Sequence, residues 1–334
     1  MNSEKFQPVT LEHYLQKELP ENWLKEIYNR NWFKIFIPRH LGGLEMSLSE
    51  GVIELMEAAA IHGSLGWCVN LGSGAGYFYQ FFGAETAARI FSDSKTVIAG
   101  SGQSTGKAVK TAGGYFINGM WDKCSGAAHA THFSANVVFE DGKMHSVIFE
   151  RNQVKLADSW NLFAMKATSS FSFTAENVFV PDDFVFDIGV IKAEENYTNS
   201  TIPFELFARF CMISTLIGTV YCFCNHFEKE FSARVQNVEK DFENLKQKLE
   251  NDKSSVIQLA QRYQSIAQTH SAFPEQHFLN LQNGVALMSR SLFDAVNDIY
   301  YKTGIGLSDE NTLSHQAWRD VLIASQHGMV KMKN

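Results

Sequence analysis

The chain has 334 residues, 45% of them hydrophobic and 19% charged, with a net charge of -7. This balance excludes a disordered or fibrous chain, and the absence of any Lys/Arg block excludes the concentrated basic face that nucleic acid requires. Five cysteines without C-x-x-C or Cys/His ligand spacing predict buried free thiols, with no disulfide framework and no metal site.

Residues 1–95 read as helices joined by short loops. The N-terminus, MNSEKFQPVT, has no apolar run before a small-residue cleavage site, so a cytoplasmic location is expected. Leu15, Leu19, Leu24 and Ile27 recur at helical spacing, with Pro20 as a break or first-turn residue. A short apolar segment then stops at Pro38, turns at Gly42 and Gly43, and leads into Ser47-x-x-Glu50, a capping box for the next helix. His62 to Trp67 reads HGSLGW.

From residue 96 to 188 the pattern changes to short β-branched and aromatic runs separated by turns. Strands are predicted at Thr96–Ala99, Tyr115–Trp121, His132–Phe139, Met144–Glu150, Val154–Ala157, Phe171–Thr174 and Val178–Val180, enough for a small barrel or sandwich. Two small-residue loops, Ser101–Gly106 and Cys124–Ala128, flank the aromatic strand ending at Trp121, where backbone and hydroxyls can approach a planar polar ligand.

From 189 to 334 the chain returns to helix. Apolar residues from Phe227 to Ile266 recur at three- and four-residue steps, and helices near 205–230, 234–268, 275–302 and 313–328 predict an antiparallel four-helix bundle. The apolar run Leu206–Cys224 approaches membrane-span length, but Arg209, Ser214, Thr215 and Thr219 interrupt it, which favours a buried bundle helix and no membrane contact.

Several of these segments occur in a recognisable order. Pro38-x-x-x-Gly42-Gly43 with its capped helix, His62–Trp67, Trp121-x-x-x-Ser125-Gly126, the Ala164-x-x-x-Thr168-x-Ser170 loop and Arg319-Asp320 resemble the acyl-CoA dehydrogenase superfamily. The Trp121–Gly126 motif is similar to that of its reduced-flavin monooxygenase branch. The resemblance implies an α+β, mostly α fold: an N-terminal helical domain (1–95), a central β-barrel or sandwich domain (96–188) and a C-terminal four-helix bundle (189–334). It also implies a flavin cofactor, FAD or FMN, including transient reduced flavin.

On that resemblance Gln103, Ser104 and Thr105 would meet the flavin's pyrimidine edge, Trp121 would pack on the isoalloxazine, Ser125 would reach toward its N5/O4 side, and Thr168 would contribute from the second loop. His327 matches the histidine placed beside substrate, and Ser125 would join it as the second catalytic residue; imidazole suits this because it donates or accepts near neutrality. In many acyl-CoA dehydrogenases a glutamate removes the substrate α-proton; Gly328 and Ala208 stand at its two aligned positions, with Glu205 a turn before Ala208.

The implied activity is therefore oxidoreductase chemistry: hydroxylation of a small organic substrate, aromatic ones included, by reduced flavin and O2. The partners implied are a separate flavin reductase and further copies of the chain in a homodimer or homotetramer. Two alternatives stay open: acyl-CoA dehydrogenation, and a flavin-free binding or assembly protein. The second is motivated by the lack of an R-x-x-F-G-type diphosphate-gripping segment, where Arg234 is the lone arginine.

Overall fold

The computed structural model describes residues 6–193, 199, 201–231, 238–269 and 273–332. Helices α1 (Leu11–Leu15), α2 (Glu21–Asn29), α3 (Leu48–Ile61), α4 (Gly63–Gly74) and α5 (Ala84–Phe91) come first. Strands β1 (Ile98–Thr111), β2 (Gly114–Cys124), β3 (His132–Val138), β4 (Met144–Glu150), β5 (Lys155–Ala157), β6 (Phe171–Pro181) and β7 (Val185–Phe186) follow. Helices α6 (Phe204–Phe231), α7 (Glu239–Gln268), α8 (Glu275–Thr303) and α9 (Leu313–Ala324) complete the chain. The helical, sheet, helical progression expected from the sequence is present.

The α3 capping box forms as its spacing predicts. Ser47 Oγ accepts from the Glu50 N–H at 3.3 Å, and the Glu50 carboxylate accepts from the Ser47 N–H at 2.9 Å. The Ser47 hydroxyl, donating to the Glu50 carboxylate at 2.7 Å, and then the Ser47 N–H hold that carboxyl below its ordinary range. Ser47→Ala is expected to lower stability by about 1 kcal/mol near neutral pH in urea denaturation. The difference should shrink as pH falls through the carboxylate range, because a depressed folded pKa stabilises only while the group is ionised.

The strands form one sheet in the order β5-β6-β2-β1-β3-β4-β7, with β1 parallel to β3 and the other pairs antiparallel. Phe173 on β6 and Phe133 on β3 are three places apart in that order, yet their ring centroids lie 4.8 Å apart. The sheet therefore curls over itself around an aromatic core, to which Phe149 and Trp121 also belong. Two sequence expectations change here. Ser101–Gly106 is not a loop but part of β1, whose pairing with β3 shifts between those residues. The two strands expected at 171–174 and 178–180 are one, β6, with Asn177 at φ 53 absorbing the irregularity.

Helix α6 is the hub, packing against α3, α4, α7, α8 and α9. It has the length and hydropathy of a membrane span, but 89% of its most apolar window is buried inside the protein, the mark of a core helix. Close approach to the N-terminal helices uses small residues: Gly218 on α6 and Gly66 on α4 both meet α3 at Ala59. Residues 232–237, with Arg234, lie outside the described residues.

Candidate functional site

The site is built where α4, the end of β2, the turn before β6 and the C-terminal segment meet. Between Trp121 and Cys124 the register of β2 with β6 shifts, and Lys123 takes φ 61. This irregularity turns the chain so that Trp121 enters the sheet core while Ser125 meets α4. The Trp67 indole N–H, on α4, donates to Ser125 Oγ at 3.1 Å.

From Ser125 a row of hydroxyls runs inward. Ser125 Oγ and Ser170 Oγ are 2.7 Å apart, Ser170 Oγ and Thr168 Oγ1 are 2.7 Å apart, and Thr168 Oγ1 donates to the Met165 carbonyl at 2.7 Å. A carbonyl only accepts, and a hydroxyl has one proton, so the direction of every bond is fixed. Thr168 donates to Met165, Ser170 to Thr168, Ser125 to Ser170, and Trp67 to Ser125. Ser125 is left with acceptor capacity and no free proton.

His327 joins through the other side of Trp67: the two rings meet edge to face with centroids 5.5 Å apart. Its Nδ1 accepts from the Met329 N–H at 3.3 Å, so the neutral ring carries its proton on Nε2. Burial lowers its pKa, which keeps it neutral at physiological pH. His327 is therefore a neutral donor.

The turn carrying the hydroxyls is held from α9. Asp320 Oδ1 accepts from the Met165 N–H at 2.8 Å, and the Arg319 guanidinium donates to the Phe163 carbonyl. Two non-glycine residues of this turn sit in the left-handed region, Met165 at φ 54 and Ser169 at φ 46, a conformation that needs such outside support. Asp320 Oδ2 abuts the start of α4, where a Cβ on Gly63 would lie 2.7 Å from it. Both partners of Ser125, Trp67 and Ser170, thus stand on segments that Asp320 touches. Burial pushes the Asp320 carboxyl up to about 7, against the opposing pull of the Met165 N–H and Arg319.

One turn along α4 from Trp67, the same helix face borders a cavity of about 230 Å³. Asn70, Leu71 and Gly74 of α4, Gly100 to Gly102 of β1 and Ala208 of α6 are among its walls. Among the described residues no carboxylate lines it. Glu205 instead pairs with the buried Arg209 guanidinium at 2.8 Å.

The sequence-predicted residues divide accordingly. Ser125, Thr168 and His327 converge through Trp67 and Ser170, which the sequence reading did not place in the site. Trp121 does not join them: it is fully buried, stacks on Phe173 at 5.0 Å and donates to the Asn136 carbonyl at 3.0 Å. Its indole fills the space left by Gly106 and Gly119, where an added Cβ would come within 2.3 and 2.7 Å of the ring. No ring face is left for a ligand, which corrects the stacking role expected of it. Gln103, Ser104 and Thr105 are exposed on β1. Gln103 accepts from the Asp122 N–H at 3.2 Å and Thr105 donates to the Met120 carbonyl at 2.5 Å, so both tie β1 to β2. Cys124 is buried and its thiol pKa is raised by burial, which makes it inert. Among the described residues no cluster of His, Cys, Asp or Glu could hold a metal ion.

Residues 2–91 match the family model for the acyl-CoA dehydrogenase N-terminal domain. The chain is 32% identical over 150 residues to a pigment production hydroxylase of Rhodococcus sp., covering 43% of this chain and 39% of that protein. It is 26% identical over 170 residues to the flavin-dependent monooxygenase oxygenase subunit HsaA of Mycobacterium tuberculosis, covering 49% and 43% respectively. These alignments span less than half the length of either relative. Among solved structures it resembles XiaF from Streptomyces sp. in complex with FADH2 and glycerol, with a TM-score of 0.86 and 18% identity over 96% of this chain and 87% of that one. Residues 2–91 thus carry the acyl-CoA dehydrogenase N-terminal domain match, and the chain shares the fold of that solved structure over nearly its whole length.

Proposed function

We propose that this chain is the oxygenase of a flavin-dependent hydroxylation, acting on a small organic substrate. The observation that carries this reading is the directed row from Trp67 through Ser125, Ser170 and Thr168 to the Met165 carbonyl, with His327 against the same indole. Ser125 offers an acceptor and no proton, which suits the N5–H that a reduced flavin carries and an oxidised one lacks. The donor set therefore fits reduced flavin. When bound, reduced flavin supplies two electrons and activates O2 for insertion of one oxygen atom into substrate.

The protein's own part is binding, orientation and exclusion of water. Ser125 and Thr168 hold the hydroxyl row, Trp67 closes it, and His327 Nε2–H serves as a neutral donor beside the reacting groups. The cavity along α4 receives the substrate. Among the described residues its walls lack the carboxylate that α-proton removal from an acyl thioester needs, which favours hydroxylation over the dehydrogenase alternative. The hydroxylase named among the relatives, the flavin-dependent HsaA and the FADH2 complex of XiaF support the same reading. A separate flavin reductase, a homodimer or homotetramer and a cytoplasmic location go with it, as do domain boundaries near residues 95 and 188.

Anaerobic titration with reduced and oxidised FMN tests this. Ser125→Ala is expected to weaken reduced FMN about tenfold, the worth of one buried hydrogen bond. Thr168→Val leaves Ser170 free to donate to Ser125, whose own proton then points outward, and should move the preference about tenfold toward oxidised FMN. Equal effects of both variants on the two redox forms, or none, would overturn the reading.

A further inference from the structure

The cavity beside α4 has a composition that narrows what can enter it. Phe78, Phe186, Phe204 and Phe207 supply aromatic wall, and among the described residues no Asp, Glu, Lys, Arg or His lines it. On its sheet side the Asn136 amide is internally paired, donating to the Gly102 carbonyl at 3.0 Å and accepting from Ser146 Oγ at 2.8 Å. The helix side differs. Asn70 is 2% exposed, and its amide N–H is paired with the Met212 thioether at 3.4 Å, a weak acceptor that any oxygen would outcompete.

From this we infer that the cavity takes an uncharged ligand of about two fused rings, oriented by one oxygen that accepts from the Asn70 amide, and rejects carboxylates and other anions. The inference rests on reading this cavity as the substrate's place. A hydroxyl or carbonyl oxygen arriving at Asn70 replaces a thioether contact with an ordinary hydrogen bond, while the ring lies among the four phenylalanines. An ionised acid gains the same contact but loses its hydration with no cation to compensate it. Asn70 is thus a specificity-determining residue: the amide reads a ligand oxygen, and the charge-free wall sets the sign of what is refused.

Calorimetric titration of the full chain without flavin, with 2-naphthol, 2-naphthoate and naphthalene, tests this. At pH 8 the naphthol is neutral and the naphthoate ionised, and the naphthol is expected to bind at least about 100-fold more tightly. Asn70→Leu should weaken the naphthol about tenfold and leave naphthalene unchanged. A series on the unaltered protein needs no variant: between pH 8 and pH 6 naphthoate affinity should rise about tenfold per unit, because only the protonated acid enters. Naphthoate binding as tight as naphthol, pH-independent naphthoate binding, or no binding of any probe would overturn the proposal. Naphthol preference intact in a protein that binds no flavin would uphold it while sinking the hydroxylase reading.

Discussion

At pH 8, Asp320→Asn is expected to be more stable than the parent, by about 2 kcal/mol in urea denaturation, and at pH 5 the gap should have shrunk to roughly 40% of that. The carboxyl is raised from 3.8 to about 7 in the folded chain because it is wholly buried. A raised folded pKa means that folding favours the protonated acid. The parent therefore loses stability as pH rises from about 4 to 7 and does not regain it above. At roughly 1.4 kcal/mol per pH unit the upper bound is about 4 kcal/mol, and local relaxation halves it to order of magnitude.

Asparagine keeps an oxygen for the Met165 N–H and carries no charge at any pH. Asp320→Ala should instead lower stability at pH 5 by about 2 kcal/mol, because that N–H then loses its partner, and the deficit should shrink toward pH 8 as the parent's own buried carboxyl ionises. His129 and His226, held down to about 4 by burial, act in the opposite direction, removing stability as pH falls below 6.5. Both titrate in all three proteins, so the difference curve reports Asp320. A flat difference between pH 5 and 8 would show that the carboxyl is ionised throughout.

The second large effect is steric. Gly218→Ala would place a Cβ 2.4 Å from the Met56 carbonyl oxygen and 2.6 Å from the Ala59 side chain, where α6 crosses α3. Backbone cannot yield as a side-chain tip does, and a loss of about 3 kcal/mol is expected. Gly284→Ala is the control: it also lies inside a helix, α8, yet nothing stands within 4 Å of the added atom. There alanine should stabilise by up to about 1 kcal/mol through the unfolded state and helix propensity. Thermal unfolding of the pair separates the two cases; equal shifts would mean that α6 and α3 do not approach as described.

What could be read from the sequence is what local chemistry dictates. The Ser47/Glu50 box, the bundle stripe and the strands of the central region announce themselves within a few residues. Ser101–Gly106 misled because small residues signal a loop, whereas here they let β1 bend while still pairing with β3. Trp121 misled for a related reason: its place depends on Gly106, distant in sequence, leaving room for the indole. The position of Ser125 was legible as a motif, but its partners were not. Trp67 and Ser170 lie 58 and 45 residues away, and only the packing of α4 on the sheet brings them to one oxygen. Asp320 was visible as part of Arg319-Asp320, with nothing local to reveal that it holds a turn 155 residues upstream.

The hydroxyl row has one more consequence, for proton traffic. A conducting wire must hand a proton in at one end and out at the other, and this row ends on the Met165 carbonyl, which can do neither. Its other end is an indole N–H, equally unable to exchange at working pH. The row is therefore fixed in direction and is a cul-de-sac for charge. Any proton consumed at Ser125 has to arrive from the ligand side, which leaves His327 and the solvent reaching the cavity as the available sources.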